Sequence, residues 1–347
     1  MQTERRLTSF SHGAGCGCKL GPEQLHQVLG GLTLPGPPPD VLVAADTGDD
    51  AAVYALDDDR ALVATLDFFT PIVDDPYDWG RIAATNAMSD VYAMGGTPFL
   101  GLNIVNWPVG DLPLDMLGRV LQGGIDAATG VGFPVLGGHS ITDPEPKYGM
   151  VVLGFVDRAH MLRNSTAVAG DSLVLTKRLG LGMISTAIKR GLASDELVAT
   201  AVDLMTTPNN EASEAVRELG AAAATDVTGF GLLGHLHRML LASGVAAEID
   251  AGAVPLIDGA LDLARSGVVP GGTARNHAFV APHVDWGGLD EPEQLLLTDA
   301  QTSGGLLVAT RDPEALTGAL SERGVPSVVV GTVRDGRPGR IGVIGRV

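Results

Sequence analysis

The sequence predicts an α+β protein with two domains. Its 347 residues are more than one small core requires, and 45% of them are hydrophobic, which is enough to bury a sizeable interior. Segments with helical and strand patterns follow one another without the regular βαβ rhythm of a doubly wound sheet. A polar stretch at 157–170 separates the two halves. We therefore expect a flexible segment at 1–20, an N-terminal α+β domain at 21–157 and a C-terminal α+β domain at 170–347.

The predicted elements of the N-terminal half follow from its apolar periodicity and its turn residues. A short helix is expected at 23–29, and a Pro-rich loop follows at 35–40. A longer helix is expected at 79–94, with Asp78 as its N-cap and Gly95 at its end. The remaining predicted elements are strands at 51–56, 61–66, 100–105 and 150–156 and a helix at 114–128.

The C-terminal half shows the same mixture of patterns. Its predicted helices cover 181–190, 210–219, 231–242 and 313–323. Its predicted strands cover 172–176, 246–249, 305–309 and 327–333.

The charge balance restricts the kinds of partner. The formal net charge is −18, and the densest basic cluster, at 334–340, is short. Such a chain repels nucleic acid and anionic membranes, but it can bind a nucleotide if metal ions bridge carboxylates and phosphates. The first residues lack the apolar core of a signal peptide, and no apolar run reaches the length of a membrane span. Cys16 and Cys18 are too close to make a useful disulfide, so a reducing cytoplasm is expected.

Both cysteines lie in one segment, from His12 to Lys19, with the sequence HGAGCGCK. Cys16 lies between two glycines that leave its thiol unshielded, and Lys19 could lower a thiol pKa or bind a phosphate. One interpretation is a weakly ordered terminus with incidental thiols. Another is a zinc site from His12, Cys16 and Cys18, although three clustered ligands leave such a site incomplete. Because the chain has no other cysteine, a reactive Cys16 is favoured.

Aspartates recur at the ends of predicted elements. Asp49 and Asp50 precede a strand, Asp67 follows one, and Asp226 lies shortly before a helix. Asp90 lies within a nearly uncharged stretch of helix, where an ionised carboxylate needs a partner. A single aspartate is usually a cap or a solvated group, but several that converge would repel one another unless a divalent cation joined them. Oxygen ligands in this number suit Mg²⁺, and Mg²⁺ suits polyphosphate.

Two glycine-bearing turns are predicted after apolar segments, at 135–140 and at 301–305. Glycines allow backbone N–H groups to close around phosphate oxygens, and serine or threonine hydroxyls add donors. The chain contains 47 glycines, however, so such turns are weak evidence. Neither a Walker motif nor a dinucleotide-binding fingerprint occurs, so a nucleotide would bind through another scaffold.

Taken together and in order, these segments resemble those of the selenophosphate synthetase family, also called selenide, water dikinase. The resemblance runs from 7–13 to 302–307, and its most specific part is GCGCK at 15–19. It implies the two-domain α+β fold of the aminoimidazole ribonucleotide synthetase (PurM-like) superfamily, with N-terminal domains paired in a homodimer. It also implies an enzyme, a phosphotransferase with paired acceptors that uses Mg²⁺ to make selenophosphate, AMP and phosphate from ATP, selenide and water.

The resemblance also implies roles for individual residues. Cys16 matches the catalytic cysteine of the family, and Lys19 matches the lysine required after the second cysteine. Gly138, His139 and Ser140 match a phosphate-side loop contributed across the dimer. The positions that match nucleotide-binding residues are Lys19, Thr47, Gly48, Asp49, Asp67, Asp90, Gly138, His139 and Ser140. The positions that match metal ligands are Asp49, Asp50, Asp90 and Asp226.

One segment departs from the family pattern. The family sequence TKPLGTG reads TKRLGLG here, so Arg178 and Leu181 replace a proline and a threonine, which affects the detail of that loop. Two alternatives stay open. Another ATP-dependent enzyme of the superfamily, acting on an amine or a thiamine phosphate, would share the acidic metal site but lack the GCGCK segment. A non-catalytic ATP-binding selenium carrier would not need a metal-bound triphosphate.

Overall fold

The computed structural model describes residues 6–13, 15, 24, 27–28, 30–32, 36–44 and 49–347. Most of the helix predicted at 23–29 lies outside these residues. The described chain forms two halves, each built on its own β-sheet with helices packed against it. The α+β fold class predicted from the sequence is therefore confirmed.

A six-stranded sheet forms the N-terminal half. Its strands are β1 (Val41–Val43), β2 (Ala52–Ala55), β3 (Arg60–Phe69), β4 (Thr97–Trp107), β5 (Val135–Thr142) and β6 (Lys147–Asp157). Their order is β1-β2-β3-β6-β4-β5, and every pair is antiparallel except the parallel pair of β4 and β5. In β3, the buried side chains of Ala61, Val63 and Asp67 alternate with more exposed ones, so the sheet has one inner and one outer face.

Two helices, α1 (Pro76–Ala93) and α2 (Leu114–Gly130), pack together in this half. Asp75 caps α1, because its carboxylate accepts hydrogen bonds from the backbone N–H groups of Tyr77 and Asp78, while Pro76 occupies the first turn. The N-cap predicted at Asp78 is therefore wrong: the helix begins at Pro76 rather than at 79.

The two helices cross where glycines remove side chains from the contact. A Cβ atom added to Gly80 of α1 would lie 1.9 Å from the carbonyl oxygen of Val120. One added to Gly123 of α2 would lie 2.1 Å from the carbonyl oxygen of Tyr77. The backbones therefore touch at this crossing, which holds α1 in place.

The C-terminal half contains a seven-stranded sheet. Its strands are β7 (Ser172–Leu175), β8 (Ala223–Asp226), β9 (Ala246–Asp250), β10 (Val284–Asp285), β11 (Leu306–Thr310), β12 (Val328–Arg334) and β13 (Ile341–Ile344), in the order β10-β13-β9-β12-β7-β11-β8. Its helices are α3 (Leu181–Arg190), α4 (Asp195–Thr206), α5 (Asn210–Leu219), α6 (Gly231–Ser243), α7 (Ala260–Arg265), α8 (Gly271–Val280), α9 (Glu291–Leu297) and α10 (Pro313–Glu322). Short 3-10 turns occur at Leu7–Phe10, Arg158–His160, Ala251–Ala253 and Ala281–His283.

Buried hydrogen bonds join the two halves along α1. Asn209 Nδ2 donates to Ser89 Oγ at 2.9 Å, and Ser213 Oγ donates to the backbone carbonyl of Tyr92 at 2.7 Å. Helix α1 therefore contacts both the sheet of its own half and the beginning of α5 in the other half. Among the described helices, none has both the length and the apolar character to cross a bilayer.

The clearest departure from the predicted elements is at 135–140. The sequence predicts a turn there, whereas the structure has strand β5 at the edge of the sheet. Nearly all of β5 is exposed, so its sequence lacks the alternation of buried and exposed residues that would identify a strand. Helix α4 is also absent from the predicted elements, although Ser194 caps it by accepting a hydrogen bond from the backbone N–H of Leu197.

The helix crossing leads to a stability prediction. Gly80→Ala should lower the free energy of unfolding by about 1–3 kcal/mol, because the new methyl group meets backbone atoms that must shift. Gly118→Ala is the matched control: Gly118 lies on the exposed side of α2 with nothing within 4 Å of the added Cβ. There alanine should raise the free energy of unfolding by about 0.5–1 kcal/mol. Urea unfolding of both variants measures the difference, and equal effects would contradict the proposed contact.

Candidate active site

A cavity of about 210 Å³ lies between the two halves. It is lined mainly by acidic and polar side chains: Asp49, Asp50, Thr65, Leu66, Asp67, Asp90, Asn164, Thr225, Asp226, Thr228, Phe230, His235 and Arg238. The first six come from the N-terminal half and the others from residue 164 onwards. The cavity is therefore formed only when the halves pack together.

Different elements bring five carboxylates to this cavity. Asp49 and Asp50 lie just before β2, and Asp67 lies within β3. Asp90 lies in the last part of α1, and Asp226 ends β8. The structure thus places all four of the predicted metal-ligand aspartates, together with Asp67, around one cavity. Within the described residues, however, no group of three or more His, Cys, Asp or Glu side chains forms a ready-made metal site.

A chain of hydrogen bonds runs from Asp67 across to the C-terminal half. Asn86 Nδ2 donates to Asp67 Oδ2 at 2.7 Å, and the backbone N–H of Ser303 donates to Asn86 Oδ1 at 2.8 Å. Ser303 has φ = 53°, and among the described non-glycine residues it alone has a left-handed backbone. Because that conformation costs free energy, the surrounding contacts must hold it. Asp90, one turn along α1 from Asn86, accepts a hydrogen bond from the hydroxyl of Thr65.

Lys177 holds Ser303 from the other side. The buried Nζ atom donates to the backbone carbonyls of Leu204 at 3.2 Å, Thr207 at 2.6 Å and Ser303 at 2.9 Å. Three acceptors match the three N–H donors of an ammonium group. Burial lowers the pKa of Lys177 to about 7, against the opposing effect of the charge on Asp226. Lys177 thus stabilises the turn at 301–305 from inside the protein. The turn is buried and does not line the cavity.

The electrostatics of the cavity centre on Asp50. Burial, followed by the charges of Asp226, Asp90 and Asp49, raises the pKa of Asp50 well above its usual value. The hydroxyl of Thr225 donates to Asp50 Oδ1 at 2.9 Å, but the buried Oδ2 atom has no hydrogen-bond partner among the described residues. Burial also raises the pKa of Asp49, although backbone N–H groups of Asp50 and Asn164 oppose the shift. The site therefore disfavours full ionisation unless positive charge enters it.

The opposite wall belongs to helix α6 and the residues before it. The backbone N–H of Thr228 donates to His235 Nε2 at 3.2 Å, so that nitrogen carries no proton. Arg238, one turn further along α6, packs over the ring of Phe230. Sequence reasoning did not single out these residues. Their signal was the spacing of His235 and Arg238, which puts both on one face of the helix that follows Asp226.

Several predicted site residues do not line this cavity. Gly138, His139 and Ser140 lie in strand β5, and in the sheet order β6 and β4 separate this strand from β3. Three strand spacings correspond to about 14 Å, too far to share a cavity with Asp67. Cys16, Cys18, Lys19, Thr47 and Gly48 lie outside the described residues.

The described segment before Cys16 is held at several points. Asp74 Oδ1 accepts hydrogen bonds from the backbone N–H and the hydroxyl of Thr8. Lys189 Nζ donates to the carbonyls of Ser11 and Gly13. The exposed ring of His12 pairs through Nδ1 with Glu145.

The fold and the acidic cavity define a class of proteins. Residues 48–156 match the N-terminal domain of the AIR synthase related protein family, and residues 168–344 match its C-terminal domain. The fold is also that of thiamine-monophosphate kinase. The structure from Stenotrophomonas maltophilia has a TM-score of 0.66 at 22% identity, covering 89% of this chain and 92% of that chain. The structure from Aquifex aeolicus has a TM-score of 0.65 at 18% identity, covering 93% and 96%.

Curated relatives narrow this class to one family. The protein named selenide, water dikinase from Myxococcus xanthus is 49% identical over 347 residues, covering 98% of this chain and 97% of the relative. Those of Bordetella bronchiseptica and Pseudomonas straminea are 47% and 46% identical, covering 99% and 94% of this chain and 100% and 96% of the relatives. This chain belongs to the selenide, water dikinase family of enzymes.

Proposed function

We propose that this chain catalyses selenophosphate synthesis, in which ATP, selenide and water give selenophosphate, AMP and phosphate. The observation that carries the proposal is the acidic cavity between the two halves, found in a member of the selenide, water dikinase family. The γ-phosphoryl group of ATP passes to selenide and gives selenophosphate. Water then cleaves the remaining ADP to AMP and phosphate. Both steps bring an anionic or polar nucleophile to a charged phosphate, so positioning and charge neutralisation are the main requirements.

Cys16 and Lys19 are the proposed catalytic residues. The described residue directly before Cys16 packs against the folded core: Gly15 is buried, and a Cβ added to it would lie 2.4 Å from Ile72 and 2.5 Å from Thr302. Thr302 adjoins Ser303, which is hydrogen bonded to Asn86 and through it to Asp67. A thiolate at Cys16 is a soft nucleophile suited to selenium, and Lys19 supplies positive charge for phosphate.

Mg²⁺ is the proposed cofactor, held by Asp49, Asp50, Asp90 and Asp226. The donors fit this ion, because they are hard carboxylate oxygens, and the buried Asp50 Oδ2 atom lacks a hydrogen-bond partner among the described residues. When bound, Mg²⁺ would neutralise negative charge on the triphosphate. Thr47, Gly48, Asp49, Asp67 and Asp90 are proposed to bind ATP, with Asn86 keeping the Asp67 carboxylate oriented.

A turnover measurement tests the proposed activity. Phosphorus NMR of the protein with ATP, Mg²⁺, selenide and a reductant should show selenophosphate and AMP in equal amounts. Cys16→Ala and Lys19→Ala should each lower the rate by about 100-fold or more, because each removes a group from the reacting centre. Cys18→Ala is the matched control and should keep most of the activity. If the wild-type protein gives no selenophosphate, the proposed function is wrong, and full activity in both variants would remove Cys16 and Lys19 from the mechanism.

A thermal-unfolding experiment tests the metal site. Mg²⁺ should raise the melting temperature of the wild type by a few degrees, since an ion that binds only the folded state stabilises it. The affinity of Mg²⁺ should decrease as the pH is lowered towards 4, because the ion must compete with protons that bind more readily to Asp49 and Asp50 when their pKa values are raised.

Asp50→Asn should stabilise the metal-free protein and weaken its response to Mg²⁺. In the metal-free protein at neutral pH it should raise the melting temperature, because burial and the charges of Asp226, Asp90 and Asp49 make an ionisable group at this position costly to fold. This gain should shrink as the pH falls towards 4, because protonation of Asp50 relieves the same penalty in the wild type. The variant should lose most of the stabilisation by Mg²⁺, whereas the exposed Asp258→Asn should keep it. Equal Mg²⁺ responses in the two variants would exclude Asp50 as a ligand.

A homodimer is proposed through the outer face of the six-stranded sheet. Large apolar side chains on this sheet are exposed, among them Leu66 at 58%, Leu136 at 64% and Phe155 at 41%. Such a face is typical of a contact with another protein surface. A dimer also agrees with the family resemblance, in which Gly138, His139 and Ser140, which lie outside their own chain's cavity, match a phosphate-side loop contributed by the partner.

Analytical ultracentrifugation tests this interface. The wild type should sediment as a dimer. Val151→Glu should dissociate it, because Val151 pairs with Leu66 and Leu102 in the middle of the outer face and a carboxylate there could not be buried cheaply. Leu192→Glu, at an exposed position in the other half, is the control and should stay dimeric. A monomeric wild type, or a dimeric Val151→Glu variant, would exclude this interface.

The proposed compartment is the cytoplasm. Cys16 and Cys18 make up the whole cysteine content of the sequence, and a reactive thiol requires a reducing environment.

A further inference from the structure

Arg238 stands out on the α6 wall of the cavity. Its guanidinium carbon lies 4.1 Å from the centroid of the Phe230 ring, a cation–π distance, and the side chain is half-buried. Phe230 ends the loop before α6, and its ring also lies 5.5 Å from that of His235. The aromatic ring therefore covers one side of the guanidinium and limits the directions in which its N–H groups can point.

The guanidinium has no conventional partner in the described part of the chain. It makes no hydrogen bond and no ion pair there, although the negative charge of Asp50 acts on it. A guanidinium carries five N–H donors and stays protonated in proteins, and partly buried donors require acceptors. The arrangement thus leaves a positive, planar donor group facing a cavity rather than a neighbouring side chain.

Arg238 is also the only arginine or lysine among the described residues that line the cavity. The Nε2 atom of the adjacent His235 accepts a hydrogen bond from the backbone of Thr228, so this nitrogen does not offer the cavity a hydrogen-bond donor. The carboxylates opposite attract cations and repel phosphate. A phosphate group could approach them only with metal ions on one side, and the α6 wall offers a fixed positive charge on the other side.

We propose that Arg238 binds the terminal phosphates of ATP in this cavity. This inference rests on the proposed function, since it assigns one more residue to the same substrate. Arginine suits the task because its planar donors match two phosphate oxygens at once, whereas lysine offers a single point of charge. The stacking on Phe230 would set the plane of the guanidinium before the nucleotide arrives, which lowers the entropic cost of binding.

Isothermal titration calorimetry with Mg²⁺ and the β,γ-methylene analogue of ATP tests the inference. Arg238→Met should weaken binding of the analogue at least 10-fold, and Arg238→Lys should give a smaller loss. Binding of AMP, which lacks the terminal phosphates, should change less than 2-fold in both variants. The exposed Arg337→Met is the matched control for loss of one positive charge and should bind the analogue like the wild type.

Two further measurements separate phosphate binding from other roles. Mg²⁺ alone should bind Arg238→Met at least as well as the wild type, since a nearby guanidinium repels the ion. Weaker Mg²⁺ binding would mean that Arg238 only shapes the carboxylates, and the inference would fall. The inference would also fall if Arg238→Met bound the analogue with an affinity within 2-fold of the wild-type value, or if its affinity for AMP fell as much as its affinity for the analogue. Inorganic phosphate is tested separately, and a loss of affinity for phosphate alone, with none for the analogue, would likewise contradict it.

These measurements do not depend on turnover. If the wild type binds the analogue but makes no selenophosphate, the proposed function fails while the role of Arg238 can still be judged from the affinities. If the wild type makes selenophosphate and Arg238→Met binds the analogue normally, the proposed function stands and the inference about Arg238 is wrong.

Discussion

The grouping of like charges between the two halves is the constraint on which the rest of the structure depends. Five carboxylates share one small cavity, and burial, together with the charges of Asp226, Asp90 and Asp49, keeps the pKa of Asp50 high. Such a group persists only if rigid elements hold it. Helix α1 does this, because its backbone meets α2 at two glycines and its polar side chains reach the carboxylates on one side and the C-terminal half on the other.

Other features near the cavity also oppose stability. Ser303 has a left-handed backbone, Lys177 is a buried lysine, and Asp50 keeps a buried oxygen without a partner among the described residues. Each arrangement costs free energy, and such costs cluster where a protein binds or transforms a ligand. Ser303 and Lys177 lie behind the cavity, where they fix the turn that orients Asn86.

The two walls of the cavity have complementary chemistry. One presents carboxylate oxygens, which suit metal ions, and the other presents a guanidinium over an aromatic ring, which suits an anion. A metal–polyphosphate complex combines both charges and so fits between them. The cavity also explains why an acidic chain can take an anionic substrate. The overall charge of −18 repels anions. The cavity attracts an anion once cations are bound to its carboxylates, because the guanidinium on the other wall adds positive charge.

The sequence by itself determined the α+β class, most of the long helices and the aspartates that meet at the cavity, because periodicity is local and the family resemblance covers whole motifs. It did not determine that Asp75 rather than Asp78 caps α1, or that 135–140 forms an exposed edge strand. Nor did it single out Arg238, Lys177 or the left-handed Ser303. Only tertiary structure decided these, because pairing at a sheet edge, burial and contacts between residues far apart in sequence leave no local pattern.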